Sequence, residues 1–477
     1  MGVDRRADVT FGAQIEGQLR RAIRQGALRA GVRLPSTRDL AAQLGISRRI
    51  VVEAYAQLAA EGYLTLRQGA RPAVAPVAPA VEDADPAPQP ARARFDFRLS
   101  APDVSIFPRG AWLRSLRDSL ATIPDAELGY GDTRGVEQLR IALSDYLGRV
   151  RGVLADPSQV IVTCGSTEGH GLTFRVLAAA GVKRIAFEDP CLPDHREVAR
   201  RAGLEVVPVE VDAGGIRVDA LRRADAGAVV LTPAHQHPAG VVLSGERRAA
   251  LLEWLREADA VAIEDDYDAE FRYDRAAVGA LQGLDPGRVV YAGSVSKTLA
   301  PALRIGWLVA PRRLVPELRE EKRLLNRGNA RIEQFAFADF LERGEYDRHL
   351  RRMRARYRRR RDALVGAVAK LLPELEVRGA AAGLHANLRL RADDDEQAIL
   401  TEGAARGLAF DILGAYRLAP VDAPPTLLLG YAQLGETTIA DGIRELAAAI
   451  AACQASGGRR SGKRGSPSSG IGSHEAA

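Results

Sequence analysis

Cysteine, lysine and long apolar runs are all scarce in this sequence. Its 477 residues hold three cysteines, Cys164, Cys191 and Cys453. These are too few and too scattered for a disulfide framework or a zinc site of ordinary ligand spacing. No run of eighteen apolar residues occurs, and the start MGVDRRADV has no apolar stretch behind it. Neither a membrane span nor an export signal is expected, and a reducing cytoplasm is. Lysine appears five times against sixty-two arginines, so each lysine invites the question of what arginine is unable to do there. What remains is 46% apolar and 27% charged, which excludes disorder of the chain as a whole.

The net charge of +6 is concentrated at one end. Residues 1–71 hold twelve arginines against six acids, and the remainder balances. A small basic head on a mildly acidic body points to a polyanionic partner for the head alone. From Arg71 the chain reads RPAVAPVAPAVEDADPAPQPARAR, Pro- and Ala-rich and without apolar period, the composition of an extended spacer. The end, QASGGRRSGKRGSPSSG, reads as a solvated basic tail. The expected division is a head at 1–74, a linker at 75–94, a body at 95–453 and a disordered tail at 454–477.

In the head, Phe11, Ile15, Leu19 and Ala22 or Ile23 share one helical face that Gly26 ends. Ser36, three residues before Asp39, opens a second helix with Leu40, Ala41 and Leu44 inward, closed by Gly45. Ser47 caps a third, with Val51, Ala54, Tyr55 and Leu58 buried, ending at Gly62. Two short helices joined by a Gly-containing turn make a helix-turn-helix, whose second helix starts with Arg48 and Arg49 where base edges and phosphates are met. YLTLRQGARPAV reads as two strands around Gln68-Gly69, a wing tipped by Arg67 and Arg71. On spacing alone, a helical protein-interaction domain would look the same.

In the body, QVIVT, KRIAFE, AGAVVLT, AVAIEDD and RVVYAGS alternate with helical stretches, the pattern of a mostly parallel sheet wrapped by helices. Lys297 follows the apolar strand RVVYAG, between Ser294 and Ser296. A lysine partly desolvated at a strand end has a lowered pKa and an amine competent to attack an aldehyde, which arginine is unable to do. Upstream, AVAIE ends in Asp265, Asp266 and Tyr267, at the end of a parallel strand where such sheets bind ligands. Pyridoxal phosphate needs an acid beside its ring nitrogen. Asp265 is the candidate, with Tyr267 as donor to the cofactor's phenolic oxygen. Gly165, Ser166 and Thr167 lie between a strand and a helix, where backbone N–H groups favour a phosphate. Ser294, Ser296 and Arg304 complete the expected cup.

RLPSTRDLAAQLGISRRIVVEAYAQLAAEGYLTLRQG resembles the winged helix of the GntR superfamily of bacterial regulators over residues 11–74. The resemblance implies DNA contacts from Ser36, Arg38, Ser47, Arg48, Arg49 and the Gly69 wing. Residues 95–453 resemble the type I aminotransferase fold, through LGYGDTRGVEQLRIALSDYL, TCGSTEG, FEDP, TPAHQHPAG, IEDDYDAEFRY, SVSKTLAPALRIGW, AGLHANL and LLLGYAQL. The two joined resemble the MocR class of regulators. What this implies is a winged helix-turn-helix fused to an α/β pyridoxal-phosphate-dependent transferase of fold type I, with a mostly parallel sheet and a smaller C-terminal α/β subdomain. It implies further that Lys297 captures the cofactor aldehyde, that Asp265 pairs with the ring nitrogen and Tyr267 with its oxygen, and that His235, Gln236 and His237 lie near the ring. Tyr130 is expected to reach the phosphate of the opposite subunit of a homodimer. Two histidines without a third ligand argue against a metal site at His235 and His237.

Two departures stand out. Leu192 replaces an aromatic residue shortly after the Glu-Asp-Pro phrase and offers no π face. LLLGYAQL lacks the arginine that clamps a substrate carboxylate, leaving Arg389 and Arg417 as candidates for that part. The basic run RRMRARYRRRRD at 351–362 reads as a solvated helix face or a second DNA contact. The functional expectation is a DNA-binding regulator that senses an amine, an amino acid or pyridoxal phosphate at Lys297. The alternative is a working aminotransferase with an accessory DNA-binding head.

Overall fold

The computed structural model describes residues 2–76, 93–99, 102–273, 278–421 and 423–461. The chain divides into two compact units, Met1–Ala91 and Arg92–Ala477. Most of the expected linker, and the tail beyond residue 461, lie outside the described residues.

The head has three helices, α1 (Phe11–Arg24), α2 (Thr37–Leu44) and α3 (Arg48–Ala60). Serine caps fix where the second and third begin: Ser36 Oγ accepts from the Asp39 amide at 3.2 Å and Ser47 Oγ from the Arg49 amide at 3.3 Å. Gly45, left-handed at φ 62°, lets the chain leave α2. Ile15, Leu19, Ile23, Leu40, Val51, Tyr55 and Leu58 close one small core. Phe11 and Leu44, expected inward, are only partly buried. The wing is shorter than its sequence suggests: β1 (Leu64–Thr65) and β2 (Ala73–Val74) pair antiparallel for two residues each, and Arg33 adds a bridge to Ala73.

In the body, eight strands form one sheet. In spatial order they are Val160–Thr163, Gly306–Val309, Val289–Ser294, Val261–Asp266, Ala228–Leu231, Arg184–Asp189, Glu205–Asp212 and Gly215–Ile216. The middle five strands run parallel; Gly306–Val309 is antiparallel to both neighbours, and Gly215–Ile216 to Glu205–Asp212. Successive residues enter different cores. Ile185, Val230 and Ile263 pack on one face, and Ala186, Val229 and Ala262 on the other. A sheet covered on both faces reads as a continuous apolar run, which is why these strands were visible as such.

A second, antiparallel sheet orders Glu376–Arg378, His385–Arg389, Thr426–Gly430 and Asp411–Ile412. It belongs to the smaller C-terminal subdomain, against two long helices, Glu345–Leu371 and Glu436–Ser461. The last helix runs on past 453, where the tail was expected to start. The basic run lies on the Glu345–Leu371 helix, and much of it is engaged within the body. Arg360 pairs with Asp103 at 2.7 Å, Arg359 with Glu436 at 3.1 Å, and Arg354 donates to the Glu270 carbonyl at 2.9 Å. These bonds tie part of the run into the body, while Arg351, Arg352, Arg358 and Arg359 stay exposed and form the solvated face read from the sequence.

Candidate functional site

The carboxyl ends of the parallel strands open into a cavity of about 260 Å³. It is lined by Gly165, Ser166, Thr167, Asp265, Tyr267, Ser296, Lys297, Arg304 and His237, together with Leu192, His195, His385 and the unexpected Arg98. Strand geometry decides which acid faces it. Glu264 accepts from the Leu281 and Gln282 amides, both at 2.9 Å, and Asp266 from Arg151 Nε at 2.7 Å and Tyr291 Oη at 2.6 Å. Those two point away, so Asp265 between them is presented to the cavity.

Asp265 is buried, and one of its oxygens, Oδ1, has no hydrogen-bond partner. Burial pushes its carboxyl up to about 6, against the pull of His195. Its other oxygen lies 3.7 Å from His195 Nδ1 and 4.0 Å from His170 Nε2. Burial holds both imidazoles neutral, His195 at about 3 and His170 at about 4. His170 and His195 escaped the sequence reading, as did His385. Three histidines, His195, His237 and His385, line this cavity, and two more, His170 and His235, stand behind its wall at Asp265 and Tyr267. His170, His195 and Asp265 are also a group of metal-type ligands whose atoms lie within 4.8 Å of one another.

Lys297 is half-buried, and burial lowers its amine from the ordinary lysine value against the pull of Asp268 and Asp265. Lys322, which is fully buried, is held by Glu168 at 3.2 Å and is not at the cavity. Tyr267 Oη lies 3.0 Å from His235 Nδ1, which is also 3.0 Å from Asp268 Oδ2. His235 therefore stands behind Tyr267 and does not line the cavity. Gln236 does not line it either: its amide donates to the Pro190 and His237 carbonyls at 2.8 and 2.9 Å and its oxygen accepts from the Ala239 amide at 2.9 Å. His237 does, pushed well below its ordinary value by burial and by His385, itself at about 4 through burial.

The anion end is built by backbone. Gly165, at φ 94°, turns the chain into the helix Ser166–Ala179, whose first turn has no side-chain cap. Its amides are thus left for an external acceptor. Arg304, left-handed at φ 51°, donates to the Cys164 carbonyl beside it. Ser294 is one step removed, its Oγ accepting from the Ser296 amide at 3.4 Å. Tyr130 is 78% exposed on this chain, with the Arg327 guanidinium 5.8 Å from its ring centre. Arg389 and Arg417 line a different cavity and do not reach Lys297. Arg98, which does line it, is paired with Asp96 at 2.5 Å.

In the head, Arg49 is exposed and paired with Glu53 at 2.7 Å, Arg48 Nε donates to Thr37 Oγ1 at 3.3 Å, and Arg38 is exposed on α2. Gly69, at φ 77°, forms the wing turn. Ser36 and Ser47 are occupied as helix caps.

The chain matches the family Aminotransferase class I and II over residues 104–406 and the Bacterial regulatory proteins, gntR family, over residues 11–74. It is 32% identical to the HTH-type pyridoxine biosynthesis transcriptional regulator PdxR of Corynebacterium glutamicum, over 92% of this chain and 95% of that protein. It is also 32% identical to the probable rhizopine catabolism regulatory protein MocR of Rhizobium meliloti, over 95% and 97%. Among solved structures, it is similar to the multiple substrate aminotransferase of Thermococcus profundus, with TM-score 0.71 and 26% identity over 77% of this chain and 93% of that one. The aminotransferase fold implies pyridoxal phosphate dependence in general, and the gntR head implies DNA binding. The chain belongs to the MocR class of transcriptional regulators, in which a GntR-type DNA-binding head is joined to an aminotransferase class I and II body.

Proposed function

We propose that this regulator binds pyridoxal 5'-phosphate at Lys297 and changes its grip on promoter DNA when a small amine, an amino acid or the cofactor itself enters that cavity. The observation that carries this reading is the buried, unpartnered Asp265 Oδ1 in the same cavity as Lys297 and the uncapped helix start at Gly165. A buried acceptor left bare in a cavity wall is a place made for a ring N–H. Bound there, the cofactor supplies an aldehyde that captures amines and a ring that draws electrons.

The chain's own groups do the rest. Lys297, lowered by burial, presents an uncharged amine more readily than an exposed lysine does. Asp265 Oδ1 receives the ring N–H while His195 stands at Oδ2. The Ser166 and Thr167 amides and Arg304 hold the phosphate, and Tyr267, backed by His235, meets the phenolic oxygen. Leu113 and Leu120 on one helix, with Leu128 and Tyr130 after it, are all more than half exposed, which supports a homodimer whose partner covers them and receives Tyr130. Two heads on one dimer suit a two-half-site operator in the cytoplasm.

Sensing is favoured over turnover because Leu427, Leu428 and Leu429, all fully buried, occupy the strand where a carboxylate-clamping arginine was sought. The test is to add pyridoxal phosphate to purified protein, trap it with borohydride and locate the adduct, then titrate amines while following DNA binding at fixed salt. An adduct at Lys297 with amine-dependent DNA affinity and no sustained keto-acid formation supports the reading. No adduct at Lys297, or DNA binding indifferent to every amine and to the cofactor, overturns it.

A further inference from the structure

The segment between His237 and Ala239 separates two cavities. His237 faces the one already described; Ala239 faces a second, of about 620 Å³, that shares no lining residue with it. The second cavity has the size of a small-molecule site and lies where the edge of the large sheet meets the small subdomain.

Its charge is one-sided. Arg378, Arg389 and Arg417 line it from the small subdomain, and among the described residues the one acid in its wall, Asp212, is already paired with Arg247 at 2.7 Å. Glu376 holds Arg378 at 2.8 Å and stands 3.7 Å from Arg389. Among the described residues, the Arg417 guanidinium has neither an ion pair nor a hydrogen bond. A planar guanidinium in this position suits a carboxylate or phosphate.

A second observation points to a ligand with a donor. Asn387 lines the same cavity and is only 4% exposed. Its Nδ2 donates to the Pro238 carbonyl at 2.9 Å, which settles the direction of the amide, and its Oδ1 has no partner. A buried carbonyl without a donor is costly unless something fills the place.

We propose that this cavity is a second ligand site, distinct from the cofactor cavity, for a small organic anion carrying a hydroxyl or amine donor. The arginines take the anionic group and Asn387 Oδ1 accepts from the donor. The two cavities are mechanically joined. His385, Asn387 and Arg389 alternate on one face of a single strand. His385 lines the first cavity, Arg389 the second, and both His385 Nε2 (3.0 Å) and Asn387 Nδ2 meet the Pro238 carbonyl. A ligand gripping Arg389 and Asn387 thereby sets the wall against which the first cavity's occupant rests.

The test uses full-length protein loaded with pyridoxal phosphate and titration calorimetry with L-malate, succinate and inorganic phosphate. None of these has an amine, so none reacts with the aldehyde. Malate is expected to bind about tenfold more tightly than succinate, which lacks the donor. Arg417→Gln and Arg389→Gln, whose retained cofactor absorbance reports folding, should each weaken malate by about tenfold, while Lys297→Ala leaves malate binding in place. Binding of phosphate alone, malate no better than succinate, affinity unchanged in both arginine variants, or malate binding abolished in Lys297→Ala, beyond the shift of about tenfold that reciprocal coupling of the two cavities allows, would each overturn the assignment. The last outcome places the anion in the cofactor cavity and leaves the reading of Lys297 standing.

Discussion

His195 Nδ1 lies 3.7 Å from Asp265 Oδ2, and both groups are moved from their ordinary values: burial holds the imidazole down at about 3 and lifts the carboxyl to about 6. The bare Oδ1 on the other side of that carboxyl is the feature a cofactor ring would complete. Replacing Asp265 by Ala should weaken pyridoxal phosphate binding by at least about tenfold, the worth of one charge-assisted hydrogen bond. Equilibrium dialysis measures it, and unchanged retention would remove Asp265 from the site.

Lys297→Ala should abolish the absorbance of the lysine-bound cofactor and its borohydride-trapped adduct. DNA affinity in the absence of effector should stay within about twofold of the parent, a difference below RT. Spectroscopy and a mobility-shift titration on the same preparation check the pair. Loss of DNA binding in Lys297→Ala that the cofactor-free parent does not share would place the lysine in the structure of the body and not in sensing.

His170 gives a pH prediction with a definite sign. Its folded value of about 4 lies below the unfolded value near 6.5. Between those two the unfolded chain binds the extra proton, so stability rises with pH through that window and the penalty is gone above it. His170→Leu should therefore stabilise the body by about 2 kcal/mol more near pH 5 than near pH 7.5, because both nitrogens of the parent imidazole are buried without partners. Urea unfolding at the two pH values measures the difference; equal gains would show that His170 keeps its proton on folding.

In the head, Arg48→Ala should cost about 1–3 kcal/mol of promoter affinity and reduce the salt dependence by about one counterion if it contacts phosphate. Ser47→Ala removes the cap of α3 and should lower the head's stability by about 1 kcal/mol. Salt titration of binding and thermal unfolding separate the two effects. Equal loss of both quantities in Arg48→Ala would mark it as a folding residue.

At Gly293, a Cβ would fall 2.6 Å from the Trp307 indole nitrogen on the adjacent strand. Gly293→Ala should cost about 1–3 kcal/mol by overpacking and loosen the turn that carries Lys297. Denaturation midpoint and cofactor retention should fall together; a stable protein with full retention would show that Trp307 moves aside freely.

Much of this was legible in the sequence for physical reasons. RVVYAGS and AVAIEDD read as strands because both their faces are buried, and Gly45 and Ser47 mark helix ends because capping is local. Lys297, Asp265, Tyr267 and Gly165 share a cavity as the motifs implied. What the sequence concealed is direction and distance. Gln236 and His237 are neighbours in the chain, yet one amide is taken up by the Pro190 and His237 carbonyls while the other side chain faces the cavity. His385 reaches the site through a carbonyl 147 positions away, and His170 and His195 meet Asp265 only because three separate segments converge. The solvated reading of the arginine run holds for Arg351, Arg352, Arg358 and Arg359, which are exposed, but not for Arg360, because its buried partner Asp103 lies far off in the chain.

The alternation along Val261–Asp266 makes the sheet itself a reading frame. Glu264 and Asp266 are each tied off behind the strand, so a slip of a single residue would put a clamped acid where a bare one is needed and drive Asp265 towards Arg151. Length changes in this strand are thus a separate kind of lesion from substitutions: they leave every side chain present and exchange their duties.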